Sequence, residues 1–119
     1  MNNQLIINWA EKRGLLSPEN KLAQLAKLTE ETGELAAAIL KDNKEAQIDA
    51  IGDIQVVLII LSEQLGLDYN KCLKTAYNEI KDRKGKMSAD GSFVKADYCL
   101  SKNDGFEKCN NQCKFCKEK

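Results

Sequence analysis

Residues 56–61 read Val-Val-Leu-Ile-Ile-Leu, six aliphatic side chains in a row inside a stretch with helical spacing. A helix apolar on every side must be covered on every side. One proline in 119 residues, with Ala, Leu, Lys, Glu and Gln abundant, leaves helix as the dominant element. The chain is long enough for one helical core but short for burying such a helix alone. The expectation is an all-α bundle of about four helices, completed by oligomerisation. A short cysteine-rich C-terminal tail follows it.

The elements can be placed from their ends. Leu5, Ile6 and Trp9 give a short amphipathic helix over 4–13. Ser17-Pro18-Glu19 starts a second, with a serine cap, a proline in the first turn and an acid at the positive end of the dipole. Leu25, Leu28, Thr32, Leu35 and Ile39 give that helix an apolar face to about 41, where "KDNK" breaks it. A third helix covers about 44–65, with Ile51, Ile54, Leu58, Leu61 and Leu65 on one face. Gly66 followed by Leu67 forms a glycine stop, and Asp68 caps a fourth helix over about 69–84. Gly85, "ADGS" and Phe93–Lys95 read as an ordered loop or short extended piece. The composition divides the chain into a helical domain, 1–95, and a tail, 96–119.

Lys+Arg and Asp+Glu both number 18, so the net charge is zero, which argues against a general nucleic-acid or membrane-surface binder. No apolar run is long enough to span a bilayer, and the N-terminus does not read as a signal peptide. A cytoplasmic protein is expected. Histidine is absent, so acid–base chemistry falls to carboxylates, Lys, Tyr, Cys or metal-bound water.

The acids within the second and third helices need an explanation. Glu30 and Glu31 both neighbour Glu34 at helical spacing, and Asp49 shares a face with Asp53. Lys27 is the one helical cation within reach, beside Glu30 and Glu31. Two facing carboxylates about 6 Å apart repel by roughly 3 kcal/mol at an effective dielectric near 20. Asp53 also leads straight into the aliphatic run, so solvating the one while burying the other is difficult. A divalent cation relieves both problems, and hard Mg²⁺ takes carboxylate oxygens. Gly33 and Gly52 precede Glu34 and Asp53, and with Ala36, Ala37 and Ala50 they leave room for close helix approach. A solvated acidic stripe is the alternative.

"KLTEETGEL" followed by "DAIGDIQVVL" resembles the all-α nucleoside triphosphate pyrophosphohydrolases of the MazG-like group, marked by Glu-Glu-x-x-Glu and a later Glu-x-x-Asp. "AYNEIKDRKGKM…DGSFVK" is similar to the ending of the small bacterial and phage members. The resemblance covers residues 5–95. It implies a homodimer or homotetramer that uses Mg²⁺ or Mn²⁺ to convert nucleoside triphosphates to monophosphates and pyrophosphate. Glu31, Glu34 and Asp53 then match metal-binding, catalytic positions, and Glu30 would orient or deprotonate the attacking water. Asn78, Lys81, Arg83 and Lys84 near the end of the fourth helix, where the family holds substrate, and Lys27 are candidates for binding it; for Arg83 and Lys84 the alternative is cations placed favourably at a helix C-terminus. Trp9 is a weaker one, for base stacking.

One position departs from the pattern. Ala50 stands where the family has glutamate, with Asp49 one residue earlier as a possible fourth metal ligand. A non-catalytic nucleotide- or metal-sensing module with a decayed acidic site is therefore the second reading. In the tail, Cys99, Cys109, Cys113 and Cys116 suit a structural tetrahedral Zn²⁺. A disordered tail with free thiols and an iron–sulfur cluster are the alternatives. Cys72 reads as a core residue.

Overall fold

The computed structural model describes residues 2–95; the tail with its four cysteines lies outside the described residues. The order is α1 (Asn3–Lys12), a 3-10 turn (Pro18–Asn20), α2 (Lys21–Leu40), α3 (Lys44–Gln64), α4 (Tyr69–Ile80), β1 (Gly85–Met87) and β2 (Phe93–Lys95). The all-α expectation holds. Two compact units divide within α4, one Met1–Leu73 and the other from Lys74 onward. Among the described residues no single helix is long and apolar enough to cross a membrane.

The first three helices end the same way. Leu15 and Gly14 donate to the Ala10 and Glu11 carbonyls, Asn43 and Asp42 to Ala38 and Ile39, and Leu67 and Gly66 to Ser62 and Glu63. Each is the paired closure of a Schellman motif, with a left-handed residue at the turn. Gly14 and Gly66 adopt φ of 69° and 71°, and Asp42 takes the same role at 52°. The starts are side-chain caps: Asn43 Oδ1 accepts from the Ala46 amide and Asp68 Oδ1 from that of Lys71. Ser17 caps the 3-10 turn rather than α2 itself, which begins at Lys21 with no side-chain cap bond. The expected fourth helix is shorter than its pattern, ending at Ile80.

In the first unit, α2 and α3 form an antiparallel pair, and α1 packs on α3. Their seam differs from the expected apolar faces. On α3, Ala50, Asp53, Val57, Ile60 and Gln64 are among the covered positions, with Ile54, Leu58 and Leu61 of the expected face half-buried as well; on α2 the covered positions are Gln24, Leu28, Glu31, Leu35 and Ala38. Both follow alternating steps of three and four, the repeat of a paired-helix seam. Leu25, Ile39, Ile51 and Leu65, expected in the core, are half exposed or more. Leucines and isoleucines one position away from the seam had pulled the expected face round, because polar residues occupy part of the true one. Val57, Ile59 and Ile60 of the aliphatic run are buried within this single chain, while Val56, Leu58 and Leu61 are partly covered. Cys72 is exposed, contrary to the core expectation. It borders an apolar cleft with Leu58, Leu61, Leu65 and Leu73.

In the second unit, β1 and β2 pair antiparallel, with Gly85 opposite Lys95, Lys86 opposite Val94 and Met87 opposite Phe93. This hairpin is the regular form of the extended piece read from the sequence. A side chain at Gly85 would strike the Val94 carbonyl and the Phe93 ring, so glycine is required there. In the connecting turn Ser88 Oγ donates to Asp90 Oδ1, and the Ser92 amide donates to the same oxygen at 2.9 Å. These bonds hold the Asp90 carboxyl down to about 2.

Candidate metal and substrate site

The polar seam positions of α2 and α3 meet. Glu31, Glu34 and Asp53 each place a carboxylate oxygen within 4.8 Å of the others. Helix spacing explains the first two, one turn apart on α2, and the antiparallel pairing brings Asp53 of α3 to them. Glu31 is the buried member, its side chain 6% exposed. Its Oε1 lies 3.4 Å from Lys27 Nζ. Its Oε2 is buried and, among the described residues, has no hydrogen-bond partner. An orphaned buried carboxylate oxygen costs free energy unless something positive or protic meets it.

The electrostatics carry the same message. Burial pushes the Glu31 carboxyl upward, and the neighbouring Glu34 carboxyl adds to the shift, with Lys27 offsetting part of it. Burial also raises Asp53, reinforced by Asp49 and then Glu31. Lys27 is held protonated, chiefly by Glu30 and next by Glu31. A single lysine thus faces several carboxylates and leaves the cluster anionic. The donor set fits a hard divalent cation: three carboxylates from two rigid helices, one with an unmet oxygen.

The remaining candidates fall in different places. Glu30 is exposed and pairs with Lys27 at 3.7 Å. Asp49 is exposed and lies outside the three-carboxylate group, one turn before Asp53 on α3. With Gly52 and Asp53 it borders a cleft of about 490 Å³ whose other wall includes Asn3 and Ile6 of α1. Ala50, where the resemblance leads one to expect glutamate, is buried in the seam with 3% exposure. Gly33 and Gly52 do not serve close helix packing, because among the described residues a Cβ at either would meet nothing beyond its own stretch of helix within 4 Å. Trp9 does not border the cleft; the Arg13 guanidinium covers its ring at 4.2 Å.

Asn78 belongs to α4, whereas Lys81, Arg83 and Lys84 follow its end. Arg83 lies 3.9 Å from Glu79. These four residues belong to the second unit.

A sequence profile of the phosphoribosyl-ATP pyrophosphohydrolase family matches residues 7–81, well over half of the chain. The chain belongs to that family. The match spans α2, α3 and α4, so it includes all three clustered carboxylates. Membership supports a pyrophosphohydrolase-type function, an enzyme that cleaves a phosphoanhydride bond. The chain is also 41% identical over 68 residues to an uncharacterized 18.2 kDa protein from the rep-hol intergenic region of Haemophilus phage HP1. That alignment covers 55% of this chain and 42% of the phage protein, so the chain spans less than half of its relative's length. No solved structure matches the chain.

Proposed function

We propose that this chain is a Mg²⁺-dependent nucleoside triphosphate pyrophosphohydrolase of the MazG-like kind. The observation that carries it is the convergence of Glu31, Glu34 and Asp53, with one buried oxygen of Glu31 left unmet. Those three residues would hold Mg²⁺ or Mn²⁺. When bound, such an ion supplies charge neutralisation between an acidic site and a polyanionic substrate, and Lewis acidity toward phosphoryl oxygens.

The chain's own residues supply the rest. Glu30, exposed beside the cluster, takes the proton of the attacking water. Water adds to the α-phosphorus, the bond from that phosphorus to the bridging oxygen breaks, and pyrophosphate leaves with the nucleoside monophosphate as co-product. Lys27 orients Glu30 and Glu31 through its two contacts. Asn78, Lys81, Arg83 and Lys84 remain substrate-binding candidates on chemistry, since a triphosphate needs cationic and amide donors. Asp49 is kept as a fourth carboxylate near the ion, to be tested by substitution. We further propose a homodimer or homotetramer acting in the cytoplasm on free nucleotides rather than on nucleic acid.

A panel of nucleoside triphosphates, with phosphoribosyl-ATP included, tests this reading in Mg²⁺ and in EDTA. Pyrophosphate released only with the metal supports it. Preference for phosphoribosyl-ATP would move the substrate to the one in the family's name. Ala50 favours the second reading, a non-catalytic sensing module, because the family's glutamate position is filled by a buried methyl group. Metal or nucleotide binding without any pyrophosphate release would establish that reading instead.

A further inference from the structure

Beside the carboxylates, the cleft bordered by Asp49 and Asp53 has features that the metal does not explain. Its volume, about 490 Å³, falls within the range of small-molecule sites. None of its lining residues is cationic or aromatic. The walls are aliphatic, from Ile6, Val56 and Ile59, with two carboxamides, Asn3 and Gln55. With no cation in its lining, the cleft suits an uncharged polar ring rather than a polyphosphate.

Gly52 is the second observation. A glycine in a helix interior costs about 1 kcal/mol relative to alanine. At Gly52 no packing neighbour accounts for the missing Cβ, since among the described residues nothing beyond its own stretch of helix lies within 4 Å of where it would be. The space above Gly52 is the cleft. Asn3, at the start of α1, is braced by its Nδ2 donating to Asn70 Oδ1 at 3.0 Å. A braced carboxamide is a better reader of hydrogen-bonding edges than a free one.

We propose that this cleft seats the nucleoside part of the substrate, with Gly52 as its floor and Gln55 and Asn3 reading the base. The proposal rests on the nucleotide reading above. Asp53 belongs to both the cleft and the carboxylate cluster, so one ligand can place its phosphates at the acids and its ring over Gly52. Aliphatic walls discriminate shape weakly, whereas a carboxamide left without its partner rejects the wrong base more strongly.

The test measures binding by calorimetry in Mg²⁺, with α,β-imido nucleoside triphosphates and, separately, inorganic tripolyphosphate. Gly52→Leu fills the floor with a good helix former. It should weaken the nucleotide analogues at least about tenfold and leave tripolyphosphate within about twofold. Gln55 is exposed, so Gln55→Ala should fold whatever becomes of Gly52→Leu, and it should change the ranking of the four bases. Unchanged analogue affinity in Gly52→Leu, equal loss of tripolyphosphate, or an unchanged base ranking in Gln55→Ala would each overturn the proposal. Wild-type protein that binds analogues over tripolyphosphate, yet releases no pyrophosphate from hydrolysable nucleotides, would sink the hydrolase reading and leave the cleft assignment standing. Wild-type protein that releases pyrophosphate but binds tripolyphosphate as tightly as the analogues would do the reverse.

Discussion

Glu31 is where the fold and the chemistry conflict most. It is a carboxylate on the covered face of α2, with one oxygen on Lys27 and the other unmet. A metal-free chain bears that cost continuously, and its pH dependence should show it. Glu31 and Asp53 both have folded-state values raised above their unfolded ones. Groups of this kind contribute stability that is fully present below the unfolded value, near 4, and is lost as pH rises through the folded value. The metal-free protein should therefore melt at lower temperature at pH 8 than at pH 4, and Glu31→Gln should flatten that slope. Adding Mg²⁺ should invert it, because protons and the ion compete for the same oxygens. Thermal melts at the two pH values, with and without Mg²⁺, check all three outcomes. Glu34→Gln should keep the helix content by circular dichroism and reduce turnover at least about 10- to 100-fold, the usual loss for a residue supporting a metal site. The sequence already showed these acids as a group short of cations. It could not show that Glu31 is the buried one, because burial depends on which face α3 covers.

At the scale of the elements, the α2–α3 seam explains what the sequence conveyed and what it concealed. The helices, the Asp68 cap and the Gly66 stop were legible because they are local: both act on backbone groups within a few residues. The facing stripes were not, because Gln24, Glu31, Asp53 and Gln64 occupy seam positions while Leu25, Ile39, Ile51 and Leu65 lie outside it. A search for a three–four repeat that admitted polar residues would have found the true seam. Two substitutions exploit it. Ala50→Glu puts a further carboxylate into the buried seam one turn before Asp53. It should lower the melting temperature of the metal-free protein and tighten Mg²⁺ binding, both measurable on one sample by melts across a magnesium titration. Asp49→Asn tests the exposed neighbour. If three carboxylates suffice, its Mg²⁺ affinity stays within a few-fold of wild type, whereas a fall of about 10- to 100-fold would make Asp49 part of the ion's shell. At the α3 end, Gly66→Ala forces an alanine to φ near 71°, and the left-handed penalty of about 1–2 kcal/mol should appear as a lower unfolding midpoint in urea.

For the whole molecule, the open question is what covers the remaining apolar surface. Leu25, Ile39 and Leu40 on α2 and Ile48, Ile51 and Leu65 on α3 are all at least half exposed, and Leu40 reaches 87%. Scattered exposed leucines are ordinary, but this many on one helix pair is what motivates the proposed assembly. The aliphatic run that suggested a partner turns out to be largely covered by its own chain at Val57, Ile59 and Ile60, so the case for assembly passes to these outer positions. A second copy is the economical cover, since an isologous contact would join the same α2–α3 surface to itself. The protein should then sediment as a dimer or larger at micromolar concentration. Ile51→Glu and Leu25→Glu should each shift it toward monomer, because burying an unpaired charge in such a contact is strongly unfavourable. Neither position belongs to the three-carboxylate cluster, so a monomeric variant that still binds Mg²⁺ with wild-type affinity would show that one chain holds the ion unaided. A wild-type protein that stays monomeric throughout that concentration range would mean that these side chains do not face a second copy.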